Sequence, residues 1–527
     1  MLFAVTRRLV RGLRRPWKVY VGVAVLFLVL LSAGGSPRPV EAAYTFGIEN
    51  SWVRVQNLGQ NYASVQVDYY DENGVFAGRD ICPTPGVCPA LAPGSGWTFF
   101  TRDNASLPTG FKGSAIITTD QPIAAILAKD VFRDNAFLIA GDSVTVGAGS
   151  HRLYLPLVSS QDGPFKDWNG RFVIQNLSDT TTACVTITYL SNYTDSEVHW
   201  DPYRPTDASA ARQPGCPQGG RPLPPRGSIF RDPETMGVGQ NFTGSVRIDL
   251  HANAQGVPAS RQFIAASAET WNRLYNPFSS YRGLDESELD TTILLPLVDR
   301  EVGPQNQWST YFQIENKDPS RSADVTLRFE GWDLAKPVPE FVVKQNTMRI
   351  VGARMCFQNR DDFANCLAAG DRLPPSFVGT ARLTSTQPIG VIVNRSSNLI
   401  DVFTSYRGLR PADSANKVLL PVLNKNYGPY ADRNGWNSWF RVLVADGGQA
   451  NVTVRYYGLD LPGGSVSYTR TVFREFTVFQ NEEAFLPNGF AGTAVLESDR
   501  PIVALANLTT DVFVGDTDLL YNGIPLP

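Results

Sequence analysis

The chain has 527 residues, 47 Lys/Arg against 50 Asp/Glu, 45 Gly and 37 Pro, with 11% aromatics. That length exceeds what one hydrophobic core supports, so three or four domains are expected. A net charge of −3 excludes a basic nucleic-acid binder, and frequent turns without any long amphipathic pattern point to an all-β fold.

Residues 1–20, MLFAVTRRLVRGLRRPWKVY, hold six basic side chains and no acid. An apolar run follows, VGVAVLFLVLLSAGG at 21–35, and then SPRPVEAAY. A basic region, an apolar core at 21–33 and the small-residue exit Val40-x-Ala42 form a secretory signal over 1–42, with cleavage expected before Ala43. The apolar core is shorter than the roughly 20 residues of a spanning helix. The alternative is an uncleaved signal-anchor helix, with residues 17–35 as the only membrane contact. Either way the remainder is exported. Loss of residues 1–42 removes seven Lys/Arg and one Glu and leaves 40 against 49, a net of −9, which suits neither nucleic acid nor an anionic membrane surface.

Beyond residue 43 one unit is written four times. An aromatic strand reads SWVRVQN (51–57), WNGRFVIQN (168–176), WSTYFQIEN (308–316) and WFRVLVAD (439–446). An alternating strand follows: SVQVDYY (64–70), CVTITYL (184–190), DVTLRFE (324–330) and NVTVRYY (451–457). Its period of two marks a half-buried strand. The last three copies are preceded by a proline strand: LYLPLV (153–158), LLPLV (294–298) and LLPVL (419–423). Pro removes a ladder donor, so this strand is expected at a sheet edge or a bulge.

The variable middle of each unit leads to a fourth phrase. It reads GSAIITTDQPIAAI (113–126), GTARLTSTQPIGVI (379–392) and GTAVLESDRPIVAL (492–505), and is split in the second copy between GSVRIDL (244–250) and QFIAAS (262–267). Two apolar stretches around a Pro turn predict a hairpin, and its leading Gly113 is expected where two backbones approach closely. The insertion at 251–261 is expected at an exposed tip. An exit phrase closes the unit: FLIAGD (137–142), FSSYRGL (278–284), FTSYRGL (403–409) and LLYNGI (519–524). The expected fold is four tandem immunoglobulin-like β-sandwich domains at 43–150, 151–290, 291–414 and 415–527. Repeats this long can each bury a core, so they are expected as independent beads.

Six cysteines fall two to a unit in the first three copies, which predicts disulfides Cys82–Cys88, Cys184–Cys216 and Cys356–Cys366. No Cys-x-x-Cys or His-Glu-x-x-His occurs, and His151, His199 and His251 share no metal spacing, so no metal, cofactor or catalytic residue is assigned. DENG at 71–74 reads as a turn, not a calcium loop. Asn-x-Ser/Thr sequons stand at Asn104, Asn176, Asn192, Asn241, Asn394, Asn451 and Asn507. The long Pro-rich, aromatic loop 191–227 of the second copy is the place for ligand contact, through Tyr193, Trp200 and Tyr203.

The phrases LPLV, FVIQN, GTARLTSTQPIGVI and SYRG make residues 44–527 resemble the tandem immunoglobulin-like β-sandwich repeat proteins of bacterial cell surfaces. The resemblance implies a fold and a location and carries no catalytic residues. The expected function is an exported, non-enzymatic protein with a structural or adhesive role at the cell surface. Its expected partner is a surface polysaccharide or another surface protein, not nucleic acid. The alternatives are a carbohydrate-binding protein using the 191–227 loop and an accessory subunit of a membrane-anchored assembly.

Overall fold

The computed structural model describes residues 47–526, apart from 145–148, 164, 192–196, 201–215, 217–219, 234–237, 239–240, 254–255, 304–306, 318–320, 332–333, 338–340, 344–347, 353–375, 398–399, 430–434 and 459. Regular structure among them is almost wholly β, and the helical pieces are three-residue turns. None of the described helices is long and apolar enough to cross a membrane. The signal or anchor expected over 1–42, and the pair Cys356–Cys366, lie outside the described residues.

The repeated phrases occupy the same sheet positions each time. The aromatic strand Ile48–Asn57 lies between Gly96–Phe100 and Ile123–Arg133, and the latter pairs with the exit strand Ala136–Val144. The second copy repeats this order with Ser228–Arg231, Trp168–Asn176, Ile264–Asn272 and Phe278–Arg282. The third and fourth copies follow, ending in the exit strands Phe403–Arg407 and Asp518–Asn522. A second sheet in each copy is built on the alternating strand, for example Val65–Asp71 between Phe76–Cys82 and Gly113–Thr119. The two sheets share a core: Val53 and Val55 of one pack with Val65, Val67 and Tyr69 of the other.

The expected hairpin is not one. Gly113–Thr119 pairs with the alternating strand, and Ile123–Arg133 pairs with the aromatic strand in the opposite sheet. In the third and fourth copies the same phrase is a single bent strand, Phe377–Ser397 and Phe490–Thr509, whose two halves belong to different partners. Proline at the bend cannot donate to a ladder, so pairing stops and the chain crosses to the facing sheet. The carbonyls of Pro122, Pro388 and Pro501 instead accept from the amides of Leu58, Lys317 and Ala445.

The leading glycines follow from a close approach. A Cβ at Gly113, Gly244, Gly379 or Gly492 would stand 1.9, 2.0, 2.4 or 2.1 Å from a carbonyl oxygen of the alternating strand. Two residues earlier in each copy stands a phenylalanine (Phe111, Phe242, Phe377, Phe490) whose ring tip fills the space a side chain would take. An aromatic ring laid over a strand glycine restores the missing apolar contact.

The proline strands settle at a bulge rather than an edge. The ladder slips at Val158/Leu155, Leu295/Val298 and Leu420/Leu423, where two residues are passed over. The stranded backbone groups are taken up by the exit-strand tyrosine. Tyr281, Tyr406 and Tyr521 each accept from the amide and donate to the carbonyl of Leu157, Leu297 and Val422. The first copy lacks the proline strand, and Asp142, opposite Leu127, stands where the other copies carry the tyrosine.

Independent beads are not what forms. The aromatic strand buries its second face on the preceding copy. Tyr311 packs against the second copy's core and Trp439 against the third's. Trp52 of the first copy enters the core of the fourth, so the four copies close into a cycle. Polar residues on that face are held by specific bonds: Arg441 Nε donates to Pro296 O (2.7 Å), Arg54 Nε to Pro421 O (3.0 Å), and Gln56 Nε2 to Thr493 Oγ1 (2.9 Å). Alternating Arg and Gln therefore reads as a wet face in sequence but is buried between copies in the structure, with Gln56 Oε1 left without a partner. Residues from Phe46 onward form one unit, with every described core cluster inside it.

Candidate functional site

The sequence candidates scatter. Trp200 ends the strand Glu197–Trp200, which pairs with the second copy's alternating strand opposite Thr188. Its side chain, and Tyr193 and Tyr203, lie outside the described residues. Cys184–Cys216 is bonded with Cα atoms 5.5 Å apart and ties that loop to the same strand, and Cys82–Cys88 is bonded at 5.3 Å. Both bonds fit an oxidising compartment. His251 Nε2 sits 2.8 Å from Thr186 Oγ1 at a strand end. Among the described residues no three His, Cys, Asp or Glu side chains cluster to hold a metal. Asn176, Asn394 and Asn507 are fully buried, whereas Asn241 and Asn451 are exposed.

A different set of residues is brought together where the four exit strands meet. Each is the outer strand of its aromatic-strand sheet, and each contacts the next, the fourth returning to the first. Edge strands expose unpaired amides and carbonyls, and here neighbouring copies supply the partners. Asp516 Oδ2 accepts from Phe278 N and from Phe403 N, both at 2.8 Å, while Asp516 O accepts from Ile139 N. One residue of the fourth copy thus binds the other three. Asp142 Oδ2 accepts from Arg282 N, and Asn522 Nδ2 donates to Arg407 O. Burial pushes the Asp516 carboxyl well above the usual range, against the pull of those two amide bonds.

At the far end of the exit strands two arginines of the SYRG phrases face each other across a carboxylate. Arg282 Nη1 donates to Glu288 Oε2 at 2.8 Å and Arg407 Nη1 to Glu288 Oε1 at 3.0 Å, with Asp413 3.8 Å from Arg407. Burial works against ionised Glu288, but the Arg282 bonds and both cationic charges outweigh it and hold the group down at about 2. Burial, then the Arg282 charge, lowers Arg407. The Nε atoms of both arginines have no hydrogen-bond partner. A second bridge joins the first two copies: Arg171 Nε meets Glu269 Oε2 and its Nη2 meets Glu49 Oε2, both at 2.6 Å, and Lys129 Nζ lies 2.5 Å from Glu269 Oε1.

Chemically, these clusters fix one copy against another. The arginines stand in SYRG, where copies one and four carry Ser143 and Asn522 at the same register, but Asp516 belongs to no repeated phrase. No protein-family model matches the chain, and no curated protein matches it.

Proposed function

We propose that the chain is an exported, non-enzymatic protein of the cell surface, with four immunoglobulin-like β-sandwich modules serving a structural or adhesive role. The observation that supports this reading is the closed cycle itself. Three strongly perturbed carboxyl groups, Asp516, Glu288 and Glu269, lie between copies and bind them to one another. A scaffold held this way presents loops from a rigid body. The disulfides fit an oxidising location.

The test is surface labelling of intact cells with a membrane-impermeant reagent, alongside N-terminal sequencing and an attachment assay with a deletion strain. Labelled protein and impaired attachment or envelope integrity are expected. Recovery in the cytosol with reduced cysteines would sink the proposal. Carbohydrate binding through the 191–227 loop is the second reading. It is favoured by the anchoring of that loop at both ends on one strand, through Glu197–Trp200 and through Arg221–Leu223 with Cys216. Glycan-array binding should fall on removal of 191–215, and equal binding would refute it.

A further inference from the structure

The connections that lead into the four exit strands converge at one end of the cycle. Arg133 Nη1 donates to Asn272 O (2.9 Å) and Tyr275 O (3.0 Å), joining the first two copies. Asn276 Nδ2 donates to Asp401 Oδ2 (3.2 Å), joining the second and third. Phe137 N donates to Val514 O (2.8 Å), joining the fourth to the first. Each of these connections carries a large apolar side chain in solvent. Phe132 and Tyr275 are about half exposed, Leu274 is 59%, Ile400 49% and Val514 73% exposed. Single exposed apolar residues are ordinary, but here one or more from each of the four copies stand on or beside loops bonded to one another.

What covers the patch follows from where the chain enters. The first described strand begins at Ile48, 71% exposed, whose cross-strand partner is Phe132. The polypeptide therefore arrives at this end, and the ten-residue aromatic strand then leads roughly 33 Å away from it. Upstream lie six basic residues and the apolar run 21–35. Twelve residues, 36–47, separate Gly35 from Ile48, and the thirteen steps span at most about 45 Å. A bilayer holding that run is within reach of this end first.

We infer that the loop end bearing Phe132, Leu274, Tyr275, Ile400 and Val514 docks on a lipid surface, with these side chains seated at the headgroup–acyl boundary. Apolar bodies with a Tyr hydroxyl at their margin suit that boundary. The inference rests on the signal-anchor alternative for residues 17–35.

Residues 46–527, which carry their own core, are mixed with vesicles of zwitterionic phosphatidylcholine and sedimented. Association is expected, and the triple variant Leu274→Ser, Ile400→Ser, Val514→Ser should lose it by roughly tenfold or more, a factor readable directly in the partition constant. Its melting temperature should be unchanged, because all three side chains are exposed. A control, Val87→Ser with Phe473→Ser, alters exposed apolar residues on a loop and a strand end outside this set and should bind as the parent does. Absence of vesicle binding at millimolar lipid, or equal binding by the triple variant, overturns the inference. So does a lipid-free dimer that the triple variant dissociates, since that assigns the patch to a second copy. N-terminal sequencing of the cell-derived protein tests the anchor separately: a chain starting at Ala43 removes the tether and overturns the inference without touching the export proposal.

Discussion

The hydroxyl of Tyr281 lies 2.9 Å from the amide nitrogen and 2.7 Å from the carbonyl oxygen of Leu157, a residue 124 positions earlier. The bulge at Pro156 strands both groups, and both are buried. Tyr281→Phe keeps the ring and deletes both bonds. A buried pair left without partners costs about 1–3 kcal/mol per group, so the melting temperature should fall measurably in differential scanning calorimetry. Tyr406→Phe and Tyr521→Phe should behave alike. An unchanged melting temperature in all three would show that the bulge is satisfied by water instead.

Gly492→Ala tests the close approach in the bent strand. Its φ is outside the left-handed region, so backbone strain is not at issue. The cost comes from a methyl placed against Tyr457 O and the Phe490 ring. Overpacking of this kind costs about 1–3 kcal/mol, read as a lower denaturation midpoint. Phe490→Ala together with Gly492→Ala should recover part of the ring clash but not the clash with the carbonyl, so the double variant should stay below the parent.

These two positions show what the sequence disclosed. Period-two alternation, the glycine phrase and the proline strand named the strands and even the close backbone approach, because each depends on local stereochemistry. The pairing of the two halves of GSAIITTDQPIAAI did not follow, since a Pro turn between apolar stretches suits a hairpin and a sheet-to-sheet crossing equally. The cycle was hidden for another reason. Arg54, Gln56 and Arg441 look solvent-facing by chemistry, and only the positions of Pro421, Thr493 and Pro296 in neighbouring copies make them interior. Asp516, which joins all four copies, stands in an unrepeated loop and left no pattern to find.

The disulfide Cys184–Cys216 closes a separation of 32 residues and Cys82–Cys88 one of 6. Loop entropy makes the first the larger contributor, roughly 3–4 kcal/mol. Cys216→Ala should lower the melting temperature more than Cys88→Ala, and non-reducing peptide mapping should recover both bridges within their own copies. The reverse order of stability would mean that the closed loop is already restrained in the unfolded chain.

Glu315 predicts the alkaline limb of stability. It is wholly buried between the third copy and the second, and burial pushes it up to about 8 against the opposing charge of Arg247. Below the unfolded value near 4.3 the group is protonated in both states and costs nothing. Between about 4.3 and 8 the unfolded chain releases the proton while the folded chain holds it, so stability falls as pH rises, by up to about 1.4 kcal/mol per unit. Glu269 and Glu288, both held near 2 by their arginines despite burial, act in the opposite direction. Their contribution is present above about 4.3 and is lost as pH falls toward 2. Glu315→Gln should therefore flatten the loss of stability between pH 5 and pH 8, seen in denaturation midpoints across that range, and leave the acid limb intact. Glu288→Gln should lower stability at neutral pH and flatten the acid limb instead. Parallel profiles for the parent and Glu315→Gln above pH 5 would mean that this carboxyl ionises within the folded protein at its ordinary pH.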